Sequence, residues 1–467
     1  LFMSYHRAIP IILMILLIAF PLCSETWERT FGGERWDAGF SIRQASDSGF
    51  IVVGITASYT PFPYHEAMLI LKLDYHGDTD WYRIYGGWGA FGNCVRECPD
   101  GGYIISGYND GVEIYCQKIN YSGDSVWARY YGTNNFDRVN QLCIASNNGY
   151  AIVGFTDISL SDADHRIYLI RIDSVGDTLW TRMYGSGYSD GEAVHYTPDG
   201  GFIITGWIYP TGYYDNIVLV KTDSAGDTLW TRMYGDKIPS SDNRGYDIDL
   251  TDDGGYVVIG SVLLKTDSLG DSLWAKPISG IAGQQTSDGG FIVLSTVGTY
   301  PATDIGITKT DSLGNIQWER TFGGTGEDRA YSIHQATDGG FIISGLTYSY
   351  GAGEGDVYVI KTDSMGLVGV EEDPPVDKPI SNIIINRSIF SVSDPYSTIV
   401  WSHLPQTGKL RIYSITGSRI WEKAFSNPEG ILTWDISENL LSNGQYFYQV
   451  YDSGMNRMTA GKFQVIE

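Results

Sequence analysis

A set of polar and ionisable residues recurs at one position of an internal repeat, four residues before the turn residue equivalent to Asp199. If the repeats form a ring, these side chains share one axis. Two arginines, two histidines and one aspartate around an axis could bind an anion or another polar ligand. The alternative is a solvated channel without a ligand. The seven positions are Arg43, Arg96, Cys143, His195, Asp249, Gln284 and His334.

A second set consists of aromatic residues in the longer connections between predicted strands. Rigid aromatic rings suit sugar rings and protein surfaces. Loops on a rigid framework often carry function, so this set predicts a binding face. The alternative is that the rings only cover the ends of the strands. The candidates are Trp36, Trp88, Trp207, Tyr209, Tyr213 and Tyr214.

Motifs for common enzyme chemistry do not occur in the sequence, which has no nucleophile elbow, phosphate loop, paired zinc motif or dinucleotide fingerprint. It therefore predicts no catalytic residues, no cofactor and no metal site. Glycoside hydrolysis needs two carboxylates about 5–9.5 Å apart. The ring position supplies only Asp249, and Glu97 would have to turn inward. A polysaccharide-acting enzyme is therefore the second hypothesis. A carboxylate pair at the aromatic face would make it the first.

The elements that would position these residues are seven repeats, each marked by one tryptophan 44 to 54 residues from the next. The fourth repeat has short β-branched and aromatic segments at 192–196, 202–206, 217–221 and 228–234, separated by Asp/Gly turns. Such segments predict strands. Four-stranded sheets bury their faces by stacking around an axis, so the sequence predicts an all-β, seven-bladed β-propeller. The tryptophans are Trp27, Trp81, Trp127, Trp180, Trp230, Trp274 and Trp318.

The two ends of the repeat array predict how the ring closes. Residues 26–31 form a fourth strand with no partners before it, whereas the last repeat has no tryptophan strand. The N-terminal strand would therefore complete the seventh blade of a propeller over residues 25–366. The alternative is an open superhelix, which would leave a strand edge unpaired, and proteins avoid such edges.

The composition excludes some classes of partner, and the N-terminal segment indicates where the protein is located. The 467 residues carry a net charge of −24, which argues against nucleic acid and anionic membranes because both need clustered positive charge. An apolar run at 8–22 is short for a membrane span, so residues 1–24 predict a cleaved signal peptide. The alternative is an uncleaved anchor. Strand geometry allows at most one disulfide, from Cys143 to either Cys94 or Cys98.

The repeats resemble those of secreted bacterial β-propeller proteins. The hairpin of the third and fourth strands is similar to the tryptophan-docking motif of pyrroloquinoline-quinone-type propellers and to the Asp-box of sialidases. It departs from the Asp-box by one residue in each gap between Asp223, Gly226 and Trp230. The hairpin is structural in both families, which implies that the tryptophans pack between blades.

A different segment follows the repeats. Residues 367–380 are acidic and proline-rich and predict an exposed linker. Residues 381–467 contain alternating apolar and polar stretches, which predict a small antiparallel β-sandwich of the Ig-like type.

This C-terminal segment resembles the type A sorting domain of type IX secretion system cargo. The resemblance is carried by residues 410–417, 434–435, 441–444, 446–448 and 462–465. It departs at the start, where residues 393–396 replace the usual Asn-Pro-Phe. A related Ig-like module, such as the one in flagellar hook-scaffolding proteins, therefore stays open. The resemblance implies transport across the outer membrane, often followed by removal of the domain.

Together these observations predict a secreted or cell-surface binding or adhesion module, exported through a cleaved signal peptide. Its aromatic loop face would bind a glycan or a protein, and residues 381–467 would engage the secretion machinery. We expect a monomer that does not bind nucleic acid. The alternatives are the polysaccharide-acting enzyme and a structural scaffold without a small ligand.

Overall fold

The computed structural model describes the chain from residue 25 in two units, Leu1–Gly369 and Val370–Glu467. The predicted signal peptide at 1–24 and all but the start of the predicted linker lie outside the described residues. The first unit is described to residue 368, with gaps at 61–65, 87–88, 110–112, 134, 159–164, 186, 210–214 and 236–242. The second unit is described at 382–385, 389–391, 396–402, 408–414, 419–426, 430–435, 444–452 and 457–466.

The first unit is an all-β, seven-bladed β-propeller, and each blade is a four-stranded antiparallel sheet within the described ranges. Strand β1 spans Trp27–Phe31. Blade 1 contains β2 (Asp37–Gln44), β3 (Phe50–Thr56), β4 (Ala67–Leu73) and β5 (Thr79–Tyr85). Blade 2 contains β6 (Phe91–Glu97), β7 (Tyr103–Asn109), β8 (Glu113–Ile119) and β9 (Ser125–Tyr131). Blade 3 contains β10 (Asp137–Ile144), β11 (Tyr150–Asp157), β12 (His165–Ile172) and β13 (Thr178–Tyr184).

The remaining blades follow the same order, with β1 as the last strand of blade 7. Blade 4 contains β14 (Tyr188–Tyr196), β15 (Phe202–Tyr209), β16 (Asn216–Thr222) and β17 (Thr228–Tyr234). Blade 5 contains β18 (Gly245–Leu250), β19 (Tyr256–Gly260), β20 (Leu263–Thr266) and β21 (Ser272–Lys276). Blade 6 contains β22 (Ala282–Gln285), β23 (Phe291–Thr299), β24 (Ala302–Thr310) and β25 (Ile316–Phe322). Blade 7 contains β26 (Asp328–Gln335), β27 (Phe341–Thr347) and β28 (Asp356–Lys361).

The hydrophobic core lies between the blades. In blade 1, every residue of β3 and β4 is buried, whereas β5 at the outer edge contains only exposed and half-buried residues. Ile51 and Val53 of blade 1 pack in one cluster with Val95 and Ile105 of blade 2. Each blade therefore buries its apolar faces only because it has a neighbour, which is why the repeats must close or be capped.

The ring is closed. Each first strand contacts the first strands of both neighbouring blades, including β26 with β2. Strand β1 pairs antiparallel with β28, from Trp27 opposite Lys361 to Phe31 opposite Val357. The Tyr358 hydroxyl donates a 2.6 Å hydrogen bond to Glu28 Oε2. The N-terminal strand thus occupies the position that the last repeat leaves vacant, and no blade edge stays open between β28 and β1.

The repeated tryptophans lock neighbouring blades together. In the turn between β16 and β17, Gly226 has a φ of +80°, and an added Cβ would lie 2.7 Å from the Trp180 ring of blade 3. The Arg182 guanidinium lies 5.4 Å from the centre of the same ring, and the Tyr184 hydroxyl donates to Gly226 O at 2.7 Å. The prediction that the tryptophans pack between blades is confirmed.

Six of the turn aspartates have a structural partner. Each accepts from a buried lysine on the third strand of its own blade, as Asp199 does from Lys221 at 2.8 Å. Burial raises the pKa of Asp199, but hydrogen bonds from Lys221, Thr197 and the Gly201 amide outweigh it and lower the pKa to about 2. The other pairs are Lys72–Asp47, Lys118–Asp100, Lys265–Asp253, Lys309–Asp288 and Lys361–Asp338.

The described strands of the second unit form two sheets. The strands are β29 (Asn382–Ile385), β30 (Ile389–Ser391), β31 (Tyr396–Ser402), β32 (Gly408–Ser414), β33 (Arg419–Phe425), β34 (Gly430–Asp435), β35 (Gly444–Asp452) and β36 (Arg457–Ile466). One sheet has the order β29-β31-β34 and the other β30-β36-β35-β32-β33. The pairing of β30 with β36 is parallel, so the prediction of a wholly antiparallel unit is wrong at that pair. In the β32–β33 hairpin, Glu422 binds Lys409, Arg411 and Arg419.

Cys94, Cys98, Cys116 and Cys143 are buried free thiols. Neither of the two disulfides that the sequence left open is therefore formed. None of the described residues belongs to a helix that is long and apolar enough to span a membrane.

Candidate functional site

The ring position of the sequence analysis corresponds to one level of the central channel. Each of the seven residues is the second-to-last residue of the first strand in its blade. Arg43 and Arg96 lie on neighbouring blades 1 and 2, and both are half-buried. Cys143 is buried at 7% exposure, so it offers the channel almost no surface. Gln284 Oε1 accepts a 3.2 Å hydrogen bond from the backbone N–H of Gln335 and thus joins blades 6 and 7.

The charged members of this ring influence one another across the channel. Burial, followed by the charges of Arg96 and Arg43, lowers the pKa of His195 to about 3. Burial and the same two charges, with Arg43 first, lower the pKa of His334 to about 3. Both histidines are therefore neutral at physiological pH. Burial raises the pKa of Asp249 to about 7, helped by the charge of Asp247.

A second level of channel side chains lies two residues before the ring. At five of its seven positions the side chain bonds the backbone of the next blade. One of these residues is Asp247, which the predicted ring did not include because only one residue per strand was counted, although alternation along the strand places it on the same face. These residues bind blade to blade and are structural. The contacts join Ser41 to Val95, Cys94 to Leu142, Gln141 to Val194, Asp247 to Gly283 and Ser332 to Ile42.

The three predicted aromatic residues that the structure describes differ in location and exposure. Trp36 packs against Ala38, Ile55 and Leu346 at the contact of blades 1 and 7. Tyr209 is 43% exposed. Trp207 is only 7% exposed. Three further candidates, Trp88, Tyr213 and Tyr214, lie outside the described residues.

Trp207 instead forms a wall of a cleft at the ends of blades 3 and 4, on the face with the longer connections. The cleft has a volume of about 220 Å³, below the 300–1,000 Å³ of pockets for drug-sized ligands. We call it the blade 3–4 cleft. Its charged residues are Arg138, Asp190, Glu192 and Arg244, and its other lining residues are Asn140, Phe155, His165, Tyr188 and Trp207.

Two carboxylates lie together in the blade 3–4 cleft because one strand supplies both. Asp190 stands opposite Trp207 in the pairing of β14 with β15, and the register shifts at Glu192, which forms a bulge. Asp190 Oδ1 accepts from Asn140 Nδ2 at 2.9 Å, and Glu192 Oε1 accepts from Trp207 Nε1 at 3.2 Å. Bulges often aim a side chain out of the regular strand pattern, as here.

The pKa values of these two carboxylates differ from those of ordinary surface acids. Burial and the charge of Glu192 raise the pKa of Asp190 well above its usual value, against the opposing charge of Arg138. Burial also raises the pKa of Glu192, against the Trp207 hydrogen bond and the charges of Arg138 and Arg244. Perturbed carboxylates in a cleft are frequent at functional sites.

The two arginines of the cleft do not come from the strand that supplies the carboxylates. One of them, Arg244, comes from blade 5. Arg244 immediately precedes β18 of blade 5 and donates to Asp215 Oδ2 from Nε at 2.7 Å. Its guanidinium lies 4.4 Å from the centre of the Trp207 ring. Arg138 comes from β10 and lies 6.0 Å from the centre of the Tyr108 ring. Both guanidiniums therefore meet the carboxylates with much of their position already fixed.

An aromatic row completes the blade 3–4 cleft. Tyr188 packs against Trp207 with ring centres 5.4 Å apart and an interplanar angle of 32°. His165 meets the Tyr188 ring nearly edge-on at 4.0 Å, and its Nδ1 lies 3.0 Å from Asp157 Oδ1. Tyr188 is 38% exposed and is therefore the accessible ring of this row. Trp207 is covered by Tyr188 and Arg244.

Sequence reasoning found Trp207 but missed the four charged residues beside it. The sequence did show a first strand at 192–196, and Glu192 begins it. Only the ring position was counted along that strand, and the bulge at Glu192 breaks the alternation that would have related it to the ring. Asn140 and Arg244 come from neighbouring blades, and no local pattern shows that they meet Asp190 and Trp207.

The fold and these sites define a seven-bladed β-propeller with a polar channel and a charged cleft beside it. No protein-family model and no curated protein matches the sequence. The chain is similar in structure to PorZ, a surface component of the type IX secretion system of Porphyromonas gingivalis, with a TM-score of 0.44, 11% identity and coverage of 94% of this chain. The chain spans 60% of that protein's length.

Two further similarities have the same strength. A protein of unknown function from Dyadobacter fermentans gives a TM-score of 0.45 at 12% identity, with coverage of 72% of this chain and 98% of that one. Sqt1 from Chaetomium thermophilum gives 0.45 at 11%, with coverage of 80% and 95%. Similarity at this level does not extend to function.

Proposed function

We propose that the protein is a secreted or cell-surface glycan-binding module and that the blade 3–4 cleft binds one sugar residue. The observation that carries the proposal is the meeting of two carboxylates and two guanidiniums beside an accessible tyrosine ring. Sugars present hydroxyl groups that both donate and accept hydrogen bonds. Asp190 and Glu192 can accept, and Arg138 and Arg244 can donate, within one small space.

Tyr188 is the ring that this proposal assigns to the apolar face of the sugar. Trp207 is one of the aromatic candidates predicted from the sequence, but Arg244 and Tyr188 cover its ring. The role left to Trp207 is to hold Glu192 through its indole N–H. A site whose polar groups are held before the ligand arrives loses less entropy on binding.

Glycoside hydrolysis is the second candidate. The carboxylate pair meets the condition that would rank the enzyme first, but the origin of the two carboxylates argues against that rank. A carboxyl group with a raised pKa can act as a general acid near neutral pH, and Asp190 is the candidate. Hydrolysis, however, needs carboxyl groups on both sides of the scissile bond. Asp190 and Glu192 both come from strand β14, and the described lining of the cleft contains no carboxylate from another strand that could face them. This geometry ranks binding above hydrolysis.

One experiment separates the two candidates. The purified protein is applied to a glycan array, and the same glycans are screened for hydrolysis. We expect binding without hydrolysis, and we expect Tyr188→Ala and Glu192→Gln to abolish it. Tyr348→Ala is the matched control, because Tyr348 is also exposed but lies outside the cleft. Hydrolysis that is lost in Asp190→Asn would instead establish the enzyme.

Two further outcomes would contradict the proposal, the first for the function and the second for the site. If no glycan binds and none is hydrolysed, the aromatic face binds a protein, or the propeller is a scaffold without a small ligand. Binding that survives in Tyr188→Ala and Glu192→Gln would place the sugar elsewhere on the propeller.

We propose that the C-terminal unit directs the protein to the type IX secretion system. The support for this role is the resemblance carried by residues 410–417, 434–435, 441–444, 446–448 and 462–465, together with the predicted signal peptide. We expect deletion of residues 381–467 to leave the protein in the periplasm of a host that has type IX secretion. Equal surface display with and without these residues, measured by fractionation, would contradict the sorting role. Size-exclusion chromatography tests the expected monomer.

A further inference from the structure

The central channel contains two arginines that the fold does not use fully. Arg43 donates from one nitrogen, Nη1, to Ile42 O at 2.6 Å and to Ser332 Oγ at 3.3 Å. Arg96 donates from Nη1 to Val95 O at 2.9 Å and to Cys94 Sγ at 3.0 Å. Within the described part of the chain, the Nε and Nη2 atoms of both guanidiniums make no hydrogen bond, and neither arginine has an ion pair.

This arrangement is unfavourable without a counter-charge. Burial and the charge of Arg96 lower the pKa of Arg43 to about 10, so two like charges face the same space. The arginines in the outer part of the propeller differ, because Arg182 and Arg232 each lie 3.4 Å from an aspartate of the next blade. Blade contacts do not require guanidiniums in the channel, because Ser41 and Gln141 make the equivalent contacts with short or neutral side chains.

The other side chains at this level of the channel have a polarity that suits an anionic ligand. His195 and His334 are neutral and can each donate one N–H group. The carboxylates on the opposite side, Asp247 and Asp249, belong to blade 5 and form no ion pair with Arg43 or Arg96 among the described residues. Their oxygens instead accept backbone amides of blades 5 and 6.

We propose that the central channel binds a small oxyanion, such as a sulfate, phosphate or carboxylate group, between the guanidiniums of Arg43 and Arg96. The free Nε and Nη2 atoms would donate charge-assisted hydrogen bonds, for which guanidinium geometry is well suited. His195 and His334 would contact the anion as neutral donors. This site is separate from the blade 3–4 cleft, and the proposal does not depend on glycan binding there.

The acids of blade 5 make the affinity depend on pH. Above the raised pKa of Asp249, about 7, this group becomes negative and opposes a bound anion. Asp247, whose pKa burial also raises, acts in the same direction. The affinity should therefore fall as pH rises from 6 to 8. The charged and titratable groups that face the arginines are His195, His334, Asp247, Asp249, Cys94 and Cys143.

The test is titration calorimetry of the purified protein with sulfate, which keeps its charge between pH 6 and pH 8, in low-chloride buffer. We expect one site per chain at pH 6 and at least a tenfold weaker affinity in Arg96→Gln, because half of the charged donors are lost. Arg182→Gln is the matched control and should bind as the wild type does. The thermal midpoint without sulfate should stay or rise in Arg96→Gln, because a like-charge repulsion is removed.

Three results would overturn the proposal. They are no sulfate binding by the wild-type protein, unchanged affinity in Arg96→Gln, and equal loss in Arg182→Gln. The pH dependence is tested separately with Asp249→Asn. The affinity of this variant for sulfate should change less between pH 6 and pH 8 than that of the wild type. An equal change in both proteins would refute the assigned role of Asp249.

Discussion

The docking of a tryptophan on a glycine of the next blade can be tested with a single methyl group. Gly226→Ala adds a Cβ that would lie 2.7 Å from the Trp180 ring, and the residue has a φ of +80°. Gly254→Ala is the matched control. Gly254 has a φ of +79°, and an added Cβ would have no atom within 4 Å. The two substitutions share the backbone conformation and differ only in the contact.

The magnitude follows from this comparison. A non-glycine residue in the left-handed region costs about 1–2 kcal/mol, and both variants carry that cost. Only Gly226→Ala also overpacks a filled contact, which adds about 1–3 kcal/mol. The Trp180 ring cannot retreat easily, because Arg182 stacks on it and Phe202 packs at 5.9 Å. We therefore expect Gly226→Ala to be less stable than Gly254→Ala by about 1–3 kcal/mol.

Thermal unfolding followed by circular dichroism measures this difference. At roughly 2–4 °C per kcal/mol for a large domain, the midpoint of Gly226→Ala should lie several degrees below that of Gly254→Ala. Equal midpoints would refute the docking contact as a source of stability. The added Cβ would also lie 2.9 Å from Arg182 Cγ. The closing control therefore combines Gly226→Ala with Trp180→Ala and Arg182→Ala, because the added methyl group should then destabilise no more than it does at Gly254.

Three further predictions concern single side chains. Asp199→Asn should lower the thermal midpoint by roughly 2–4 °C at pH 7, because buried Lys221 loses its carboxylate. The folded pKa of Asp199 is depressed to about 2, so its contribution is present above pH 4 and lost as pH falls towards 2, where wild type and variant should converge. Tyr358→Phe should lose about 1 kcal/mol, because β1 is no longer hydrogen-bonded through Glu28, and a urea titration measures it. Trp207→Phe should raise the pKa of Glu192 further, because the indole N–H that lowers it is removed; a carboxyl ¹³C NMR titration would show no change if that bond is absent in solution.

The regular parts of the structure could be predicted from the sequence because they repeat. The tryptophan spacing indicated seven blades, and the vacant strand in the last repeat indicated where β1 belongs. Counting back from Asp199 and its equivalents located the ring position in all seven first strands, because those strands end in the same short turn. Counting back four residues from each turn residue was therefore enough to identify the ring residue of every blade.

The blade 3–4 cleft could not be predicted in the same way. Glu192 lies in a β-bulge, which a period of two does not anticipate. The burial of Trp207 depends on Arg244, which enters from blade 5. Asn140 reaches Asp190 across the blade boundary. Each of these facts needs the relative position of blades, whereas the sequence pattern describes one blade at a time.

A crystal structure with a sugar from the array soaked into the blade 3–4 cleft would test the proposed function most directly. We expect one sugar ring against Tyr188, with hydroxyl groups within hydrogen-bond distance of Glu192 and Arg138. An empty cleft in crystals of protein that binds the sugar in solution would contradict the proposal, as would a sugar bound at another face. A cleaved sugar in the cleft would instead identify Asp190 and Glu192 as catalytic residues.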